Sequence, residues 1–89
     1  MDKQTLRVQL QELHAELQQV ESLDVNEREM LQNLARDVQQ ILHREDDRTQ
    51  HYSSLGEQLR DVVAQVEASH PRVTILMRQV IDQLAYLGI

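Results

Sequence analysis

The chain of 89 residues contains no cysteine, tryptophan or phenylalanine, and it has only two glycines and one proline. Without cysteine it has no disulfide, no thiolate metal ligand and no thiol nucleophile. A sheet protein needs turn residues at intervals of about 8–12 residues, and so few glycines and prolines cannot supply them. We therefore expect an all-α protein, and the length suits a single domain over residues 1–89.

Basic residues are also scarce, since nine Lys and Arg against fifteen Asp and Glu give a formal net charge of −6. They are scattered singly, and two tyrosines are the only aromatic residues, so the sequence lacks the cation clusters and stacking platforms of nucleic-acid-binding proteins. It also lacks the run of about 18 apolar residues that a membrane-spanning helix needs, and the apolar stretch of a secretory signal. We expect no nucleic acid, no membrane and a cytoplasmic location.

Apolar residues recur every three or four positions in four segments, which is the period of an amphipathic helix. The first two seams run over residues 6–20 and 31–42, and only residues 21–23 separate the two patterns. Such a short connection predicts an antiparallel helical hairpin over residues 2–43. Asp24 and Glu27 have the spacing of a capping box at the start of its second helix.

The second half of the chain predicts two more helices, over residues 55–69 and 71–87. Ser54 and Glu57 have capping-box spacing, and Gly88 suits a C-terminal cap. The break at His70-Pro71 follows because proline disfavours helical geometry in the residue before it. Residues 44–54 carry no apolar seam and form a polar connection or a solvated extension of the second helix; the lack of Gly and Pro before Ser53 favours partial extension. The prediction is a small bundle of four helices.

The fourth helix is apolar on more than one side. Its main seam consists of Val73, Met77, Val80, Leu84 and Leu87. Ile75 and Tyr86 fall together on the opposite side, Ile89 cannot join the seam, and this segment alone has a net positive charge. Isolated exposed apolar residues are ordinary in monomers. A domain this small without disulfides is only marginally stable, however, so Ile75, Tyr86 and Ile89 are a candidate interaction surface for a homodimer.

Histidine offers the only evident chemistry. If the second helix extends, His43, Asp47 and His51 share one helix face at a spacing that suits a divalent metal. The segment has no evident second layer of residues to orient such ligands, so a solvated connection is favoured and we expect no metal and no cofactor. His14 borders the first seam and His70 precedes Pro71, so packing and turn geometry account for both. No carboxylate pair or glycine-rich loop indicates catalysis, and we expect a protein that is not an enzyme.

Three pieces of the chain carry a family resemblance. They are LHAEL at residues 13–17, the His70-Pro71 junction, and IDQLAYLGI at residues 81–89. In this order and spacing they resemble an uncharacterised family of short, acidic bacterial helical proteins, known only as a domain of unknown function. The resemblance implies a bacterial helical protein and carries no activity, cofactor or catalytic residue.

These features favour a small, non-catalytic helical protein that acts in protein–protein interaction or structure and self-associates. One alternative is an acidic regulatory or adaptor protein that binds a basic partner protein not yet identified. Another is a metal-responsive protein that uses His43, Asp47 and His51. Solution mass, co-purification and zinc titration by calorimetry distinguish the three.

We predict that a metal chelator leaves the stability of the fold unchanged, because His43, Asp47 and His51 are expected to be solvated rather than structural. A structural metal couples its binding directly to folding. The measurement is the melting temperature with and without EDTA. A fall of many degrees in the melting temperature would favour the metal-responsive alternative over the other two functions.

Overall fold

The computed structural model describes residues 3–21, 24–43 and 49–88. These residues form four α-helices and contain no β-strand: α1 (Lys3–Gln19), α2 (Val25–His43), α3 (Thr49–Val66) and α4 (Pro71–Tyr86). The predicted all-α bundle is confirmed. Its extents are 37 × 22 × 19 Å. None of the described helices has both the length and the hydropathy needed to cross a membrane.

The helices form a ring in which each packs against two neighbours, in the order α1, α2, α3, α4 and back to α1. Contacts between opposite ends show that neighbours run antiparallel. Near the start of α1, Nη2 of Arg7 donates to the carbonyl oxygen of Leu42 near the end of α2, at 2.7 Å. Near the end of α1, Glu16 lies 3.7 Å from Arg72 at the start of α4. The predicted hairpin is therefore present, and α4 closes the ring against α1.

The core is built from the seams that the helical period predicted. Every helix contributes aliphatic residues three or four positions apart, and α3 adds one aromatic ring. The buried apolar residues are Leu6, Leu10, Leu13, Leu17, Leu31, Leu34, Ala35, Val38, Tyr52, Leu55, Leu59, Val62, Val63, Val66, Val73, Met77, Val80 and Leu84. Leu87, which was predicted to belong to the main seam of α4, is only partly buried.

Helix α3 begins at Thr49, six residues before the predicted start at residue 55. The physical reason is Tyr52, which is almost completely buried and fixes this extra stretch against the bundle. Ser54 therefore lies inside the helix, where it does not act as a cap. Helix α2 ends at His43, and residues 44–48, where its extension was predicted, lie outside the described residues.

The ends of α4 follow the sequence signals closely. Pro71 occupies the first turn, and Oγ1 of Thr74 donates to the Pro71 carbonyl oxygen at 2.8 Å. Leu87 caps the other end, and Gly88 has a φ of +78°, in the left-handed region that favours glycine. The amide of Gly88 donates to the carbonyl oxygen of Ala85 at 3.1 Å. The predicted cap at Gly88 is confirmed.

Polar groups are buried between α1 and α4 as well. Gln83 lies eleven residues from Arg72, so it shares the side of α4 that meets α1. Gln9 lies seven residues from Glu16 and faces α4 for the same reason. Among the described residues, neither Nε2 of Gln83 nor Oε1 of Gln9 has a hydrogen-bond partner, although both atoms are buried. A donor and an acceptor without partners thus lie in the same helix–helix interface.

We predict that Leu34→Ala and Leu59→Ala each lower the free energy of unfolding by about 2–5 kcal/mol, because both side chains are fully buried. Gln40→Ala is the matched control, since Gln40 is exposed on α2 and should cost less than about 0.5 kcal/mol. Urea denaturation followed by circular dichroism measures all three. Equal costs for the leucine and glutamine variants would contradict this assignment of the core.

Candidate functional site

One end of the bundle carries a cluster of polar side chains, the end cluster, formed by Asp24, Glu27, Ser69 and His70. Oδ1 of Asp24 accepts a hydrogen bond from the backbone amide of Glu27 at 3.1 Å, which confirms the Asp24 half of the predicted capping box. Glu27 is thereby held over the α3–α4 connection. Its Oε1 lies 2.7 Å from Nε2 of His70 and 3.1 Å from Oγ of Ser69. The cluster ties the start of α2 to the turn between α3 and α4.

Serine, histidine and a carboxylate also make up nucleophilic triads, but the end cluster has a different geometry. In a triad the serine hydroxyl donates to histidine, and the carboxylate bonds the other side of the ring. Here the hydroxyl of Ser69 and the ring of His70 meet the same oxygen of Glu27. The hydroxyl also lies 3.3 Å from the carbonyl oxygen of Val66. This arrangement joins helices and does not direct the hydroxyl towards the imidazole.

His70 was predicted to act through turn geometry, and no local pattern indicated its contact with Glu27. The side chains of His70 and Glu27 are only 17% and 18% exposed, so the contact is largely shielded from water. His70 stands at the N-cap position of α4, and its side chain makes no capping hydrogen bond there. Its ring is directed towards the start of α2 instead.

The proposed metal ligands do not share one helix. His43 is exposed at the end of α2, whereas His51 belongs to α3, which packs antiparallel against α2. The chain reverses between them, so the spacing on a continuous helix does not apply. Asp47 and the side chain of His51 lie outside the described residues. Within the described part of the chain, no group of three or more His, Asp or Glu residues is placed to hold a metal ion.

His14 is half-buried on α1, as predicted for a residue that borders the seam. It lies seven residues after Arg7, which contacts α2, so both residues are on the side of α1 that faces α2. Its Nε2 is buried and has no hydrogen-bond partner among the described residues. Within the described helices, no carboxylate bonds this nitrogen across the hairpin.

The predicted interaction surface is exposed on α4 where the structure describes it. Ile75 is 55% exposed and Tyr86 is 68% exposed, and they lie three turns apart on one side of the helix. Exposed polar residues stand between them. We call this strip the outer face of α4, and its members are Ile75, Arg78, Gln79, Asp82 and Tyr86. Ile89, the third predicted member, lies outside the described residues.

A groove of about 290 Å³ lies between α1 and α2, and we call it the hairpin groove. Its aliphatic floor and its polar rim come from both helices. The residues that line it are Leu17, Gln18, Val20, Arg28, Leu31, Gln32, Ala35, Arg36 and Gln39. None of them is acidic, although acidic residues outnumber basic ones in the chain as a whole.

We predict that Glu27 and His70 stabilise the fold as a pair. In a double-mutant cycle of Glu27→Ala and His70→Ala, we expect a coupling energy of about 0.5–1.5 kcal/mol from urea denaturation, because the contact is short and shielded. Glu67→Ala with Arg78→Ala is the control cycle. The two side chains of that pair are similarly close, at 2.8 Å, but both are 53% exposed, so we expect a coupling energy of less than about 0.5 kcal/mol. Equal coupling in the two cycles would contradict a special role for the end cluster.

Comparison with known proteins bears on the whole arrangement of helices. The family model described as a domain of unknown function, DUF4404, matches residues 6–89, which include most of α1 and all of α2, α3 and α4. No curated protein and no solved structure matches the chain. The family match confirms the resemblance to an uncharacterised family that the sequence indicated. Because it covers far more than half of the residues, the chain belongs to the family described as a domain of unknown function, DUF4404.

Proposed function

We propose that this protein is a non-catalytic helical interaction protein that self-associates through the outer face of α4. The observation that supports the proposal is the exposure of Ile75 and Tyr86 on one side of a helix whose opposite side fills the core. A second copy would remove both side chains from water. Burial of a large apolar side chain contributes about 1.5–3 kcal/mol, so four such residues across two copies can support a weak dimer.

Charge favours α4 over the other helices as the contact. The chain carries a net charge of −6, so two copies repel each other on approach. Helix α4 contains two arginines and a single acidic residue, Asp82, which makes its own net charge positive. Contact through this helix therefore brings together the least acidic surfaces of the two copies.

The order of residues on the outer face suits a two-fold axis. If two copies of α4 pack antiparallel, Ile75 of each copy lies opposite Tyr86 of the other. The same register brings Arg78 of each copy near Asp82 of the other, because these residues lie between the two apolar ends. The outer face of α4 can therefore make both apolar contacts and ion pairs with the same face of a second copy.

Binding of a basic partner protein is a second candidate function, and the net charge of −6 supports it. Such a complex would contain a different protein and would weaken with added salt. A homodimer held by apolar side chains would keep the same subunit and depend less on salt. Purification from the native host at low and high salt separates the two functions.

We predict that the wild-type protein shows a concentration-dependent dimer in sedimentation equilibrium, with a dissociation constant no tighter than about micromolar. The combined substitution Ile75→Asp/Tyr86→Asp should return the protein to a monomer, because each copy would then place two new negative charges in the interface. Circular dichroism should show unchanged helicity, since both side chains are exposed in the monomer.

Val25→Asp is the matched control for this measurement. Val25 is an exposed apolar residue at the start of α2 and does not belong to the outer face of α4, and an acidic residue is well tolerated in a first helical turn. This variant should dimerise like the wild type. A wild type that is monomeric at every concentration, or a dimer that survives both aspartates, would overturn the proposal.

A further inference from the structure

The hairpin groove combines an apolar floor with a cationic rim. Leu17, Leu31 and Ala35 belong to the core, yet part of their surface lines the groove. The arginines and glutamines around them are exposed on the surfaces of α1 and α2. The rim residues are Gln18, Arg28, Gln32, Arg36 and Gln39. A ligand in this groove would contact aliphatic carbon below and hydrogen-bond donors at the edge.

The charge of the groove is opposite to that of the protein. Both charged residues that line it, Arg28 and Arg36, are arginines, whereas the chain carries fifteen acidic residues and a net charge of −6. Glutamine side chains fill the remaining polar positions and add amide donors without charge. Complementary potentials select the partners of a surface, so this groove suits an acidic occupant.

The volume of the groove and the spacing of its two arginines indicate that a polypeptide segment is the ligand. At about 30 Å³ for each water-sized group, a volume near 290 Å³ accommodates about ten such groups, or one or two large apolar side chains. Arg28 and Arg36 lie eight residues apart on α2, which is about 12 Å along the helix axis. Because helical side chains lean towards the N-terminus in the same way, their charged ends stay separated. Two acidic groups on either side of an apolar anchor match this arrangement.

We propose that the hairpin groove docks an acidic segment of a partner protein. One or two apolar side chains of the segment lie over Leu17, Leu31 and Ala35, and its carboxylates lie beside Arg28 and Arg36. An amphipathic helix with acidic flanks has this chemistry. The site is separate from the outer face of α4, because α4 packs against α1 and α3 and lies across the ring from α2.

The test uses three capped 16-residue peptides that carry a neutral dye and share leucines at every third or fourth position. The intervening polar positions are glutamate in the first peptide, glutamine in the second and lysine in the third. Fluorescence anisotropy against the full chain should show the glutamate peptide binding at least about five-fold more tightly than the other two at low salt. Its advantage should shrink at high salt, because exposed charges are screened.

Matched variants locate the binding. Arg36→Glu should weaken the glutamate peptide by at least about five-fold, whereas Arg60→Glu, at an exposed arginine on α3, should leave its affinity unchanged. Gln32→Glu places an acid on the rim, and Gln40→Glu places one elsewhere on the exposed surface of α2. Only the first of these two should weaken binding. Amide chemical shifts should change most at Leu17, Gln18, Leu31 and Gln32.

Three results would overturn the proposal. Equal binding of the glutamate and glutamine peptides would show that charge plays no part, and tighter binding of the lysine peptide would show a basic partner. Displacement of the peptide by decanoate at similar affinity, with the same dependence on Arg36, would show a small amphiphile as the occupant. The measurements are repeated in the Ile75→Asp/Tyr86→Asp protein, where the same result is expected because self-association involves a different helix.

Discussion

Interdigitation of branched aliphatic side chains across four antiparallel helices is the constraint on which the rest of this structure depends. The protein has no disulfide, no tryptophan and no phenylalanine, and Tyr52 is the one aromatic ring in its described core. Leucine and valine must therefore fill the interior, and their close packing fixes the rotation of each helix about its axis. That rotation decides which residues face outward on α4 and which arginines of α2 turn towards α1. Both proposed surfaces are consequences of how the core packs.

Polar contacts at the ends of the bundle determine how the helices are aligned along their axes. Apolar seams of similar spacing can slide by a turn without a large loss of burial, because leucine and valine contacts are not directional. The end cluster is directional: Glu27 reaches His70 and Ser69 only when the start of α2 lies beside the α3–α4 connection. The hydrogen bond from Arg7 to Leu42 fixes α1 against α2 in the same way. These contacts select one register among several that the core alone would allow.

The sequence predicted those parts of the fold that depend on local spacing. The seams, the cap at Asp24 and the left-handed glycine at Gly88 each follow from residues within one or two helical turns. Tyr52 was missed because residues 44–54 were treated as one polar stretch, although Tyr52 lies three residues before Leu55 and extends the seam of α3 by one turn. The contact between Glu27 and His70 joins distant positions that no local pattern connects. The hairpin groove was missed for a related reason. The net charge of a sequence segment does not show that Arg28 and Arg36 share one face beside α1.

The closing contact between α1 and α4 has a consequence for synthesis on the ribosome. More than half of the 89 residues separate Glu16 from Arg72, so α1 meets its second neighbour only after α4 has been synthesised. Until then the α1–α2 hairpin leaves one flank of Leu6, Leu10 and Leu13 exposed to water. The nascent chain thus passes through a stage in which a strip of leucines is uncovered. Such a surface binds chaperones and favours premature association between nascent chains on neighbouring ribosomes.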